Sequence, residues 1–309
     1  MSSGKILTMK IYIVGSGGVG GYFGGILAKA GNDVTFVARG ENYKAIKNNG
    51  LLVKSVKGDF AIKPAKVIDK ISEIKNPDVV FFTVKTYSTS DTAKELSYVV
   101  NENTVIITFQ NGVENDIQIK KYIHNAKVYP GVAYLISTKI KPGVIEQIGG
   151  LRRLTFGDRK NPKNVKLQEI VGIMKKSGID AILSDDITRD LWKKFMFIVA
   201  FSGMTAVCRS PIGKILADPI TESLYKRCVQ EAIQVAKAFD VSVPNDVFIT
   251  IMKTTTDTNP ASKSSLLVDV ENGRKNEIET LNGTLVRFAR ERNIDVPMNE
   301  LIYAAIKLL

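Results

Sequence analysis

A short apolar strand, Lys10-Ile-Tyr-Ile-Val14, runs directly into Gly15-Ser-Gly-Gly-Val-Gly20, and a helical pattern follows. This arrangement restricts the folds open to the N-terminal half more than any other feature of the chain. In a G-x-G-x-x-G turn the first glycine permits the tight bend, the second lets a pyrophosphate approach the backbone, and the third lets helix and strand pack closely. Free N–H groups at the helix start then face the phosphates. Glycines at such spacing arise by chance in a chain with 24 of them among 309 residues. Context gives the motif its weight, since a second strand, Asp33-Val-Thr-Phe-Val-Ala38, follows the helix as the fingerprint requires. Gly15, Ser16, Gly17, Gly18, Val19 and Gly20 are therefore the expected dinucleotide cradle.

Arg39 comes next and bears on the choice of cofactor. At the end of the second strand an acidic residue accepts from a ribose 2′-hydroxyl, whereas an arginine accommodates a 2′-phosphate. A guanidinium can clamp that phosphate through two parallel charge-assisted hydrogen bonds. The expectation is NADPH; the alternative is a solvated surface arginine. Two further apolar runs, Asp78-Val-Val-Phe-Phe-Thr83 and Thr104-Val-Ile-Ile-Thr108, read as buried central strands. The polar segments after them contain Lys85 and Asn111. From such βα loops Lys85 can meet phosphate or ribose, and Asn111 can orient nicotinamide and catalytic groups. An ordinary turn explains Gln110-Asn111-Gly112 equally well.

Strand and helix patterns alternate from Lys10 to about Leu183, as a mostly parallel sheet with helices on both faces demands. Leu51–Lys63 reads as an antiparallel hairpin turning at Lys57-Gly58-Asp59. Tyr134–Thr138 and Gly143–Gln147 read as another antiparallel addition. Beyond Ile187 the period is helical, with Leu191, Phe195, Ile198 and Phe201 on one face and Leu281, Leu285 and Phe288 on another. The expected fold is α/β: an N-terminal Rossmann dinucleotide-binding domain over residues 1–184 and an all-helical substrate domain over 185–309, with a ligand cleft between them.

The charge of +12 invites a nucleic-acid reading, but the lysines are scattered and no arginine-rich arm, zinc-finger spacing or aromatic RNA-binding motif is present. A positive field suits an anionic cofactor and a small anionic substrate. No run of 18 or more apolar residues is present to span a bilayer, so a cytoplasmic protein is expected. Met1–Met9 is too short for a signal peptide, and residues 1–8 read as an extension ahead of the fold. Two cysteines and one histidine make neither a disulfide framework nor a zinc site, and no metal is expected. The apolar C-terminal stretch Leu301–Leu309 fits a homodimer contact or the core equally.

Several further segments, taken in order, resemble the ketopantoate reductase (2-dehydropantoate 2-reductase) family from Met9 to Leu309. They are Gly15–Gly20, Val37-Ala-Arg39, Val84-Lys85-Thr86, Gln110-Asn-Gly-Val-Glu114, Asp190-Leu-Trp-Lys-Lys194, Ser264-Ser-Leu-Leu-Val-Asp269 and Gly273–Glu279 with Asn282-Gly283. The resemblance implies NADPH-dependent reduction of a branched 2-oxo acid to the 2-hydroxy acid in pantothenate biosynthesis. By position it makes Lys194 the general acid, Glu277 the carboxylate beside substrate and lysine, and Ser265 the donor to the substrate carboxylate. Ser265 and Glu277 need a bend to converge, and Gly273 can supply it. Where the family commonly carries asparagines, this chain has Ile198, Ser202 and Ile212. Loss of amide donors alters discrimination among polar substrates by ~10²-fold or more, so a more apolar 2-oxo acid stands beside ketopantoate as an expected substrate. A dinucleotide-binding protein without turnover is the remaining alternative, and retention of Lys194 and Glu277 argues against it.

Overall fold

The computed structural model describes residues 9–309, and the expected extension over residues 1–8 lies outside them. The chain divides into two units. One runs to Gln110 and from Glu114 to Ile187; the other takes Asn111–Val113 and Thr188–Leu309.

The first unit begins β1 (Lys10–Val14), α1 (Gly18–Lys29), β2 (Asp33–Val37), α2 (Gly40–Asn49), β3 (Leu51–Ser55), β4 (Phe60–Ile62) and β5 (Lys66–Ile68). It continues through β6 (Val79–Phe82), α3 (Thr89–Ser97), β7 (Val105–Thr108), α4 (Asn115–Lys120), β8 (Lys127–Lys141), β9 (Val144–Phe156), α5 (Val165–Lys176) and β10 (Asp180–Leu183). These strands form one sheet in the order β4-β3-β9-β8-β7-β6-β1-β2-β5, with β10 beside β9. Within it, β5-β2-β1-β6-β7-β8 is the doubly wound order 3-2-1-4-5-6 of dinucleotide folds. Its strands pair in parallel throughout. The order reverses between β1 and β6, and ligands in such sheets bind outside the carboxyl ends of the strands at that reversal.

Side-chain alternation explains why the sheet is covered on both faces. Ile11 and Ile13 of β1 join Phe23 and Leu27 of α1 and Met174 of α5, whereas Tyr12 and Val14 join Leu96 of α3 and Ile119 of α4. The central strands β6 and β7 are buried along their whole length, as their apolar character on both faces requires.

The hairpin expected over Leu51–Lys63 is present as antiparallel β3 and β4. The second antiparallel pair is longer than its expected segments. Residues Lys127–Pro130 of β8 pair in parallel with β7, and from Gly131 onward the strand pairs antiparallel with β9. One continuous strand thus serves two neighbours, and its apolar content is spread over both, which blurs the period.

The second unit is helical: α6 (Ile187–Val207), α7 (Ile212–Ala217), α8 (Pro219–Ala238), α9 (Val247–Thr256), α10 (Ser265–Glu271), α11 (Thr284–Glu291) and α12 (Pro297–Lys307). A π-helical turn over Glu279–Gly283 precedes α11. On α6 the buried positions include Leu191 and Phe195 together with Trp192, Met196, Val199 and Ala200, while Ile198 and Phe201 are only half-buried. The expected face is therefore rotated, because Trp192 anchors the helix by stacking on Phe239 and Phe288 at 6.4 and 5.8 Å. Leu281 and Leu285 are buried as expected, and Phe288 is half-buried in that aromatic stack. In α12 Ile302 and Ile306 are buried and Leu301 is exposed, as are Leu308 and Leu309 just past its end. No helix among the described residues is long and apolar enough to cross a membrane.

Candidate active site

The glycine turn is built as its spacing demands. Gly15 adopts φ +105°, a left-handed conformation disfavoured for other residues, and a Cβ there would lie 2.6 Å from the Thr83 carbonyl carbon. A Cβ on Gly20 would strike the Gly15 carbonyl oxygen and Thr83 Oγ1, so only glycine lets α1 lie this close to the turn. Over Gly17, at the N-cap of α1, nothing lies within 4 Å of a built Cβ. That open space at a helix N-terminus fits a pyrophosphate, whose oxygens meet unpaired N–H groups and the positive end of the helix dipole.

The remaining cradle residues have distinct places. Ser16 turns inward: its hydroxyl donates to the Val37 carbonyl at 3.0 Å, and its own carbonyl accepts from Asn42 Nδ2 at 3.4 Å. The Ser137 hydroxyl of β8 donates to the Gly18 carbonyl at 3.2 Å, and a Cβ on Gly18 would collide with Ser137 backbone. Val19 is half-buried against the sheet core. Arg39 stands at the N-cap position of α2, and its side chain pairs with Glu95 at 2.9 Å. Lys85 is exposed in the loop after β6.

Two residues passed over in the sequence brace this end of the sheet. Thr83 donates through Oγ1 to Gly15 O at 2.8 Å and through its N–H to Val14 O at 2.8 Å, tying the exit of β6 to the glycine turn. Gln110 is buried, and its amide donates to Val84 O and Thr89 Oγ1, both at 2.9 Å, while its carbonyl accepts from Thr108 Oγ1. Apart from Thr108, two residues from Gln110, the partners lie 21 to 69 residues away, so no local pattern announces these contacts.

In the second unit Lys194 and Glu277, assigned by resemblance, come together with Asn111, nominated from its loop. Lys194 Nζ donates to Asn111 Oδ1 at 2.8 Å, and the Glu277 carboxylate acts on the same ammonium. Gly112, just after Asn111, adopts φ +121°, so the turn depends on glycine there. Burial lowers the Lys194 pKa from 10.5 to about 8, and Glu277 opposes the shift by favouring the charged form. The arrangement yields an ammonium that gives up its proton more readily than an exposed lysine, with one oxygen acceptor and one carboxylate to orient it.

Ile198 and Ser202 lie one and two turns beyond Lys194 on α6, half-buried and buried respectively. Ile212 is fully buried at the start of α7, its N–H donating to Ser262 O, so it serves packing. Gly273 adopts φ +59° just past α10 and ends that helix, as the sequence requires. Ser265 is exposed at the first position of α10. Its neighbour Ser264 is the buried N-cap, accepting from Leu267 N at 3.0 Å and from Thr205 Oγ1 at 2.7 Å. The capping role of Ser264 was legible in principle, since serine leads at N-caps, but two adjacent serines leave the choice open.

Comparison with known proteins gives a consistent picture. Residues 11–161 match the sequence profile described as ketopantoate reductase PanE/ApbA, and residues 186–309 match the profile of its C-terminal part. An uncharacterized oxidoreductase of Bacillus subtilis, YkpB, is 29% identical over 300 residues, spanning 97% of this chain and 98% of that protein. The 2-dehydropantoate 2-reductase of Pyrococcus horikoshii is 28% identical, spanning 97% of both chains. Among solved structures, 2-dehydropantoate 2-reductase from Geobacter metallireducens superposes with a TM-score of 0.90 at 28% identity, covering 96% of this chain and 99% of that one.

Proposed function

The chain belongs to the ketopantoate reductase family of oxidoreductases, and from that premise we propose that it reduces 2-dehydropantoate to pantoate with NADPH. The observation that carries this reading is the Lys194 ammonium, held 2.8 Å from Asn111 Oδ1, opposed by Glu277 and lowered in pKa to about 8. When bound, the reduced dinucleotide supplies the hydride to the carbonyl carbon. Lys194 donates its proton to the carbonyl oxygen as negative charge develops there, and its positive charge stabilises that oxygen in the transition state. Glu277 keeps the ammonium charged at neutral pH and accepts from a substrate hydroxyl. Asn111 directs the ammonium by accepting one of its three donors. Ser265, beside the Ser264 cap, donates to the substrate carboxylate. Arg39 receives the adenosine 2′-phosphate, which favours NADPH over NADH.

A second reading rests on Ile198. Placed one turn from Lys194, this branched apolar side chain supplies no hydrogen bond and favours a bulkier apolar 2-oxo acid. The test is the rate of NADPH oxidation with 2-dehydropantoate beside a panel of larger apolar 2-oxo acids, each repeated with NADH. Turnover confined to 2-dehydropantoate and NADPH supports the first reading, and preference for an apolar acid supports the second. Tight NADPH binding without turnover of any acid would leave a binding protein and refute both.

A further inference from the structure

At the end of β2, Arg39 Nη2 lies 2.9 Å from Glu95 Oε2, a carboxylate on α3 that is 56 residues away in sequence. The pair lines a groove of about 510 Å³ in the first unit, together with Lys70, Ile71, Lys94 and Tyr98. Both side chains reach solvent, at 64% and 49% exposure, so neither is locked by packing. The Lys94 ammonium is turned toward the Tyr122 ring, 5.2 Å from its centroid. The guanidinium with which this chain would receive a 2′-phosphate thus already has a carboxylate on one of its nitrogens.

We propose that Glu95 sets the discrimination between 2′-phosphorylated and unphosphorylated adenosine by holding the Arg39 fork that a 2′-phosphate would take. The proposal rests on the reading of Arg39 as the 2′-phosphate receptor. A phosphate binds a guanidinium best through two parallel N–H donors, and Glu95 occupies one of the five that Arg39 offers. A carboxylate at that distance also repels the incoming dianion. An ion pair this exposed is weak, so the phosphate can displace Glu95 rather than being excluded. For an unphosphorylated ribose the same carboxylate is an acceptor for the 2′-hydroxyl, the part that an acidic residue takes in NAD-binding folds. Glu95 therefore weakens selection for the phosphorylated cofactor without abolishing it.

Calorimetric titration of the full chain with 2′,5′-ADP and with 5′-ADP reads this directly, without turnover. Glu95→Gln is expected to bind 2′,5′-ADP about three- to fivefold more tightly while 5′-ADP binding is unchanged or weakened, the upper range of one exposed charge pair. In an Arg39→Ala background the gain from Glu95→Gln is expected to shrink below about twofold, because the group that Glu95 restrains is gone. Equal changes for both nucleotides, or the same gain without Arg39, would overturn the proposal. If Arg39→Ala alone weakens both nucleotides equally, the receptor reading itself falls and the proposal with it. If Arg39→Ala is selective for 2′,5′-ADP and Glu95→Gln changes nothing, the receptor reading stands and only the role of Glu95 is refuted.

Discussion

Lys194 carries two opposing demands: its burial makes it a better acid and a costlier charge. Replacing it with alanine removes both the proton donor and the cation, so the chemical rate is expected to fall by roughly 10² or more while the dinucleotide dissociation constant stays within about twofold. Single-turnover kinetics with a parallel binding titration would check this, and unchanged chemistry would remove Lys194 from the role of acid. The same burial has a signature in stability. The folded-state pKa of about 8 lies below the ordinary 10.5, so the unfolded chain binds more protons between those values and folding stability rises with pH across that window. The penalty is complete below about pH 8 and relieved by about pH 10.5. Relative to Lys194→Met, wild-type unfolding free energy is therefore expected to increase over that interval, and a pH-independent difference in denaturant midpoints would contradict it. At this scale the sequence offered residue types and spacing only. It could nominate Lys194 and Glu277 by resemblance, but it could not distinguish the buried cap Ser264 from the exposed Ser265, nor foresee that Arg39 meets Glu95.

Elements were legible where their cause is local. The β1 turn and α1 follow from the glycines, the β3–β4 hairpin from Lys57-Gly58-Asp59, and the end of α10 from Gly273. They were obscure where the cause is distant. The parallel pairing of β3 and of β10 with β9 joins segments separated by tens of residues, and no periodicity encodes a partner. The rotated face of α6 reflects the aromatic stack that receives Trp192, not a change in helical period. One buried network shows how much such long-range contacts contribute. Glu231 on α8 accepts from Met298 N, Asn299 N and Asn299 Nδ2 at 3.0, 3.0 and 2.7 Å, and so caps the first turn of α12. Glu231→Ala would leave three donors without this acceptor in a buried place, and an unfolding free energy lower by about 2–4 kcal/mol is expected in urea denaturation. A loss under about 0.5 kcal/mol would mean that water or a neighbouring group replaces the carboxylate. Dinucleotide affinity should be unaffected, because the network lies wholly in the helical unit.

For the whole molecule, the sheet order of the first unit and the helical composition of the second are those of a family that joins a dinucleotide fold to a helical partner. The proposed cofactor residues, the glycine turn and Arg39, belong to one unit, and the proposed catalytic residues Asn111, Lys194 and Glu277 to the other. Asn111 joins the second unit although it directly follows Gln110 of the first, so one short loop contributes to both. Net charge of +12 is consistent with anionic cofactor and substrate, but the positions that matter are few and specific. The most direct measurement is the rate of NADPH oxidation by 2-dehydropantoate as a function of pH at saturating concentrations. With Lys194 as the acid, the rate is expected to be level below about pH 8 and to fall tenfold per pH unit above it as the ammonium is lost. A rate that stays level through about pH 9.5, or no oxidation at any pH, would contradict a 2-oxo acid reductase driven by this lysine.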